Sequence, residues 1–189
     1  NASVKARQAA AISYLTKFAA GKRVLEIGCG SGLLLSSLQN IPLQSYEGID
    51  LSPVAISAAR DRVRGLNLNF PCAFLAGGLE QIGGQKFDFI FSLGLTDWLS
   101  PEETQQLFAL SHGKLFFHSF SESKPSLTRF LHRGYVQVLY GYRTKKYRPQ
   151  YWQREDLLNL LPPEANAYIS SPKEMGFGAF VHNLNSSSS

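Results

Sequence analysis

The sequence predicts an α/β fold, a mostly parallel sheet covered by helices on both faces. Three observations carry that expectation. Short apolar runs alternate with longer amphipathic stretches between residues 23 and 120. A glycine-rich turn follows the first of those runs, and an acidic residue, Asp50, closes the second. Strands that alternate with helices pair in parallel, because each crossover returns the chain across a sheet face.

In chain order, residues 2–20 read as a helix, with Val4, Ala9, Ile12, Leu15 and Phe18 recurring on one side and Gly21 ending it. Arg23–Ile27 is a short buried strand, and the glycine turn at 26–32 leads into an apolar helical stretch at 33–38. Residues 45–49 form a second strand, with Asp50 at its carboxyl end. Ser52 and Pro53 then supply a cap and a pre-set first turn for a helix over 54–64, stopped by Gly65. Strands three and four fall at 69–75 and 87–91. Ser100-Pro101-Glu102-Glu103 combines a cap, a proline and a glutamate placed to reach back, which starts a helix over 101–110. Strand five is 114–120, and a helix over 153–161 stops at Pro162-Pro163. Residues 165–170 and Gly178–His182 are two final strands, close enough to pair antiparallel and to place a reversed strand at or near the sheet's edge.

At 189 residues and 44% hydrophobic, the chain is sized for one domain. It divides into an N-terminal helix (1–22), a core (23–120), a basic and aromatic segment (121–154), a final helix and strand pair (155–184) and a frayed tail (185–189). No apolar run approaches the roughly 20 residues of a spanning helix. Two cysteines, Cys29 and Cys72, lack metal-ligand spacing, so no metal is expected and a reducing, cytoplasmic setting fits. No secretory signal is visible, and the absence of an initial methionine points to an upstream segment removed. The net charge of +5 is local: 124–154 holds eight Lys or Arg and no acidic residue.

Glycines at 28, 30 and 32 let the backbone turn sharply and bring a ligand against bare main chain, where free amides at a helix start favour an anion. The dinucleotide fingerprint needs its third glycine one place later, where this chain has Leu33. Glu26, two residues before the first glycine, repels a diphosphate and suits a ligand with an amino group and a sulfonium, such as S-adenosylmethionine. Asp50 is placed to accept ribose hydroxyls.

Val24-Leu25-Glu26-Ile27-Gly28-Cys29-Gly30-Ser31-Gly32, then Gly48-Ile49-Asp50-Leu51-Ser52, then Phe87-Asp88-Phe89-Ile90-Phe91-Ser92 resemble the successive motifs of the class I methyltransferases, most closely their small-molecule branch. The resemblance covers residues 24–120. It implies a Rossmann-like seven-stranded sheet with an antiparallel last strand, S-adenosylmethionine as cofactor and S-adenosylhomocysteine as product. The methionine part would lie over Glu26, Ile27, Gly28, Cys29, Gly30 and Gly32, the ribose on Asp50, and Ser92 would border the site. Gly78 stands where the family often has an Asp for the adenine amino group, so backbone, Leu51 and Leu79 would hold adenine.

Methyl transfer from a sulfonium needs alignment more than acid–base help. Where a base is used, Asp97 past strand four and His118 on strand five are the candidates, with Trp98 beside them for the substrate. Residues 124–154 occupy the place where the family builds its acceptor site. There Arg129, His132, Arg133, Tyr135 and Arg143 suit a small aromatic or anionic acceptor, and the same composition suits nucleic acid or an anionic membrane surface. RNA methylation is the main rival, weakened because Ser92-Leu93-Gly94-Leu95 lacks the Asn/Asp-Pro-Pro-aromatic motif of base amino methylation. A nicotinamide dehydrogenase, which Leu33 and Glu26 disfavour, and a non-catalytic module that keeps the fold to bind a partner are weaker rivals.

Overall fold

The computed structural model describes residues 2–82, 86–123, 150–176 and 178–185. Seven strands form one sheet: β1 (Arg23–Ile27), β2 (Ser45–Asp50), β3 (Cys72–Ala76), β4 (Phe89–Ser92), β5 (Leu115–Ser121), β6 (Tyr168–Ser170) and β7 (Gly178–His182). Their spatial order is β3-β2-β1-β4-β5-β7-β6. The first five run parallel, and β7 is antiparallel to both its neighbours. The reversed strand therefore lies one place in from the edge, which β6 occupies.

Side-chain alternation along the strands builds two cores. Val24, Tyr46, Phe89, Phe91, Phe117 and Phe180 face one way, against Ala11, Leu15 and Ala19 in and just after α1 (Ala2–Phe18). Leu25, Ile27, Ile49 and Ile90 face the other way, against Leu107 of α3 (Pro101–Ser111). Beyond them Phe116, Phe120 and Val181 pack with Trp152 and with Leu157 of α4 (Arg154–Asn159). The caps read from sequence form: Ser52 Oγ accepts from Ala55 at 3.2 Å to start α2 (Pro53–Arg64), and Ser100 and Glu103 make the reciprocal box.

Some boundaries differ. The helix expected at 33–38 is a single 3₁₀ turn, Leu35–Ser37. Leu34, Leu35, Leu38 and Ile41 are all buried, and the segment between Gly32 and Pro42 carries Ser36, Ser37 and Asn40, poor helix formers that do not sustain a longer helix. β3 starts at Cys72 instead of residue 69 because Pro71 has no amide to give a ladder, although its carbonyl accepts from Tyr46 at 3.0 Å. Among the described residues no helix is long and apolar enough to cross a membrane.

Candidate cofactor-binding site

The strand order reverses between β1 and β4, and in open parallel sheets the carboxyl ends flanking such a reversal form a crevice. The glycine turn occupies it. Gly28 and Cys29 both donate their amides to Ile49 O, at 2.8 and 3.1 Å, folding the turn back over β2. Asp50 Oδ2 accepts from the Gly30 amide at 2.9 Å, and the Gly32 amide donates to Cys29 O at 3.1 Å. Four of the turn's amides are thus already donated internally. The expectation of free N–H groups for an anion fails here, because Asp50 and Ile49 take them and no long helix follows.

The three glycines differ in what surrounds them. All have positive φ, +76° at Gly28, +54° at Gly30 and +70° at Gly32. A side chain at Gly28 would meet Leu95, and one at Gly32 would run into Leu35 at 2.7 Å. At Gly30 nothing lies within 4 Å. That is where the turn opens to a ligand.

Glu26 lies at the base of the turn, 4% exposed. Its Oε2 accepts a hydrogen bond from the Tyr46 hydroxyl. Burial pushes its carboxyl up to about 8, with the Asp50 charge adding to the rise and the Tyr46 bond opposing it. Cys29, also buried, has its thiol raised to about 12, chiefly by burial, so it is inert packing within the turn. Ile27 is a core residue of the opposite face and contributes only backbone here.

Across the crevice stands Arg7 of α1, which the sequence reading missed. Its Nη1 would lie 2.7 Å from a Cβ on Gly94, so it passes close over that residue, and Gly94 adjoins Leu95, which a side chain at Gly28 would meet. Arg7 Nη1 is 3.8 Å from Asp97 Oδ2, a loose ion pair, and its buried Nε has no hydrogen-bond partner among the described residues. One arginine within a helical periodicity gives no sequence signal of this reach. Glu80 was also missed: its carboxylate folds back over Gly78, into the space that a side chain at that position would fill. Leu51 is exposed and Leu79 half-buried.

The two base candidates are placed differently from expectation. His118 is fully buried, with Nδ1 2.9 Å from Ser92 Oγ and Nε2 2.9 Å from Ser111 Oγ, and burial pushes its imidazole down to about 3. Unlike the open position expected of a base, His118 lies in the core, and so does the Ser92 side chain expected at the cofactor. Asp97 lies at the crevice but is engaged, accepting from the Ser121 amide at 2.6 Å and the Ser121 hydroxyl at 2.8 Å. Burial raises its carboxyl, and Arg7 and Ser121 oppose the rise. Trp98 is half-buried in the same turn. Arg129, His132, Arg133, Tyr135 and Arg143 lie outside the described residues. The flanks of their segment are fixed, since Gln150 donates to Asp97 O at 2.7 Å and Trp152 pairs with Ser121 and Ser123 at 3.0 and 2.9 Å. Ser123 and Gln150, the described residues on either side of 124–149, therefore lie beside the ends of β4 and β5.

Residues 24–115 match the family model described as a methyltransferase domain. The match takes in the glycine turn, Asp50 and β4, and spans just under half of the chain. The chain is 33% identical over 95 residues to ribosomal protein L11 methyltransferase of Deinococcus radiodurans, covering 46% of this chain and 35% of that protein. It is 31% identical over 121 residues to release factor glutamine methyltransferase of Caulobacter vibrioides, covering 59% and 42%. The matches thus span under half the length of these curated relatives. Among solved structures, magnesium protoporphyrin IX methyltransferase from Synechocystis PCC 6803, with bound S-adenosylhomocysteine, superposes at a TM-score of 0.69 and 18% identity, covering 93% of this chain and 80% of that one. The mycolic acid cyclopropane synthase CmaA1 superposes at 0.68 and 13% identity, covering 94% and 81%. The chain shares its fold with both.

Proposed function

We propose that the chain transfers the methyl group of S-adenosylmethionine to a small acceptor bearing an aromatic or anionic group. The observation that carries this reading is the pairing, at one crevice, of a buried carboxyl with no cation beside it among the described residues, Glu26, and an arginine with an unfilled donor, Arg7. A zwitterionic amino-acid moiety satisfies both, the ammonium on Glu26 and the carboxylate on Arg7. A diphosphate satisfies neither the acidic base of the turn nor its spent amides. Asp50 would hold the ribose: each of its oxygens accepts one amide hydrogen bond and keeps a lone pair for a hydroxyl. Glu80 would reach the adenine amino group, in place of the Asp missing at Gly78.

When bound, the cofactor supplies a methyl group on a cationic sulfur, activated toward any aligned nucleophile. The residues around it align, shield and hold charge. Asp97 ties the β4 turn to the end of β5 and fixes the floor of the acceptor side. With Asp97 engaged and His118 sealed, no described residue is placed to take a proton. That favours an acceptor atom that is already anionic, a carboxylate, phenolate or thiolate. The positive charge of residues 124–154 complements such an acceptor.

The protein substrates named for the curated relatives supply a second reading, methylation of a protein side chain. Incubation with methyl-labelled cofactor and separate pools of small carboxylates, phenols, thiols, protein and RNA at two salt concentrations tests both. Label in the small-molecule pool supports the first reading. Label confined to protein moves the acceptor to the second, and label confined to RNA with steep salt dependence contradicts both.

A further inference from the structure

We propose that Tyr46 is a positioning residue for the cofactor's amino group, and that capture of the ammonium drives a proton off Glu26. The proposal rests on the reading of this crevice as an adenosyl-cofactor site.

The register places Tyr46 opposite Val24, on the face that Glu26 shares two residues further along β1. The ring is fully buried, lies 6.0 Å from that of Phe74, and has one polar task, donation to Glu26 Oε2. The Glu26 side chain has no other hydrogen bond and no cationic partner among the described residues. The groups facing it do not supply one. From β2 come Tyr46, the backbone of Gly48 and, at the strand's end, the Asp50 carboxylate. The glycine turn offers the Cys29 thiol, β4 offers Phe91, and Arg7 of α1 makes its ion pair with Asp97 and none with Glu26.

A buried carboxyl in such surroundings keeps its proton. The raised carboxyl of Glu26 agrees with that. With Tyr46 donating to Oε2, the acid proton resides on Oε1, the oxygen left to meet a ligand. An arriving ammonium supplies the missing positive charge, the Oε1 proton leaves to solvent, and the carboxylate remains held on its other side. The tyrosine hydroxyl bonds the anion more strongly than the acid, so it favours the ionised, ammonium-binding form.

Calorimetric titration with S-adenosylhomocysteine in buffers of differing ionisation enthalpy counts that proton directly and needs no variant. At about pH 7 the expected release is nearly one proton per site, and affinity should tighten by up to roughly tenfold per unit between about pH 6 and 8. Glu26→Gln should release none and bind independently of pH. Tyr46→Phe, checked for folding by circular dichroism, should bind roughly tenfold more weakly and shift the pH profile upward. Binding with no proton release, together with wild-type affinity in Tyr46→Phe, overturns the proposal while leaving the cofactor reading intact. Failure to bind at any pH overturns the cofactor reading and this proposal with it.

Discussion

Asp50 joins the glycine turn to the start of α2, accepting the Gly30 amide on Oδ2 and the Ser52 amide on Oδ1, each at 2.9 Å. The carboxylate that would meet the ribose is thus also the clamp that shapes the turn. Asp50→Ala should weaken S-adenosylhomocysteine binding by about 1–3 kcal/mol through loss of charge-assisted hydrogen bonds. Titration calorimetry reads the change, and unchanged affinity would remove Asp50 from the site.

The glycines separate ligand space from packing space. Gly30→Val fills the open mouth of the turn, so it should abolish cofactor binding, with a strain cost of about 1–2 kcal/mol for the left-handed backbone. Gly32→Val carries the same strain and also collides with Leu35 and Ala59, so it should destabilise the fold further. Chemical denaturation of the two variants beside their cofactor titrations checks the contrast. A Gly30→Val protein that binds normally would place the ligand elsewhere.

Arg7→Gln should weaken cofactor binding by about 1.5–3 kcal/mol, because a charged donor is lost from a buried site. Arg7→Lys should recover only part, since an ammonium cannot match the planar fork of the guanidinium. Equal affinities for all three proteins, measured by calorimetry, would confine Arg7 to its ion pair with Asp97.

Much of this was legible in the sequence. The alternation of strands and helices, the caps at Ser52 and Ser100 and the Glu26–Gly32 turn depend on local chemistry, and local chemistry is written along the chain. What stayed hidden depends on contacts between distant segments. Arg7 reaches Gly94 from a helix far away in the chain, and His118 is buried, with Ser92 and Ser111 as its partners, only once β4, β5 and α3 pack. The stretch at 33–38 looked helical because its leucines recur at helical spacing. Burial of Leu34, Leu35 and Leu38 between Gly32 and Pro42, with Leu33 left exposed, overrides that pattern.

Stability should follow pH through two buried groups of opposite sign. Glu26 is protonated in the fold up to about 8 but only to 4.5 in its ordinary state, so the folded form holds the extra proton and its contribution, present below 4.5, is lost as pH rises through about 8. His118 is neutral in the fold down to about 3 against an ordinary 6.5, so the unfolded form holds the extra proton and its contribution, present above 6.5, is lost as pH falls through about 3. Each slope is at most about 1.4 kcal/mol per pH unit. The denaturation midpoint should be highest between 4.5 and 6.5, where the two oppose each other, and fall on either side. His118→Leu should flatten the acid side and leave the alkaline side unchanged, and an unaltered acid slope would show that His118 is not sealed.

The crevice between β1 and β4 is expected to accept an adenosyl amino acid and to refuse a dinucleotide. Parallel calorimetric titrations of the folded chain with S-adenosylhomocysteine and with NADH test that directly. One S-adenosylhomocysteine per chain, lost in Gly30→Val, and no heat of binding from NADH is the predicted result. Saturable NADH binding that Gly30→Val removes, with S-adenosylhomocysteine inert, would contradict it.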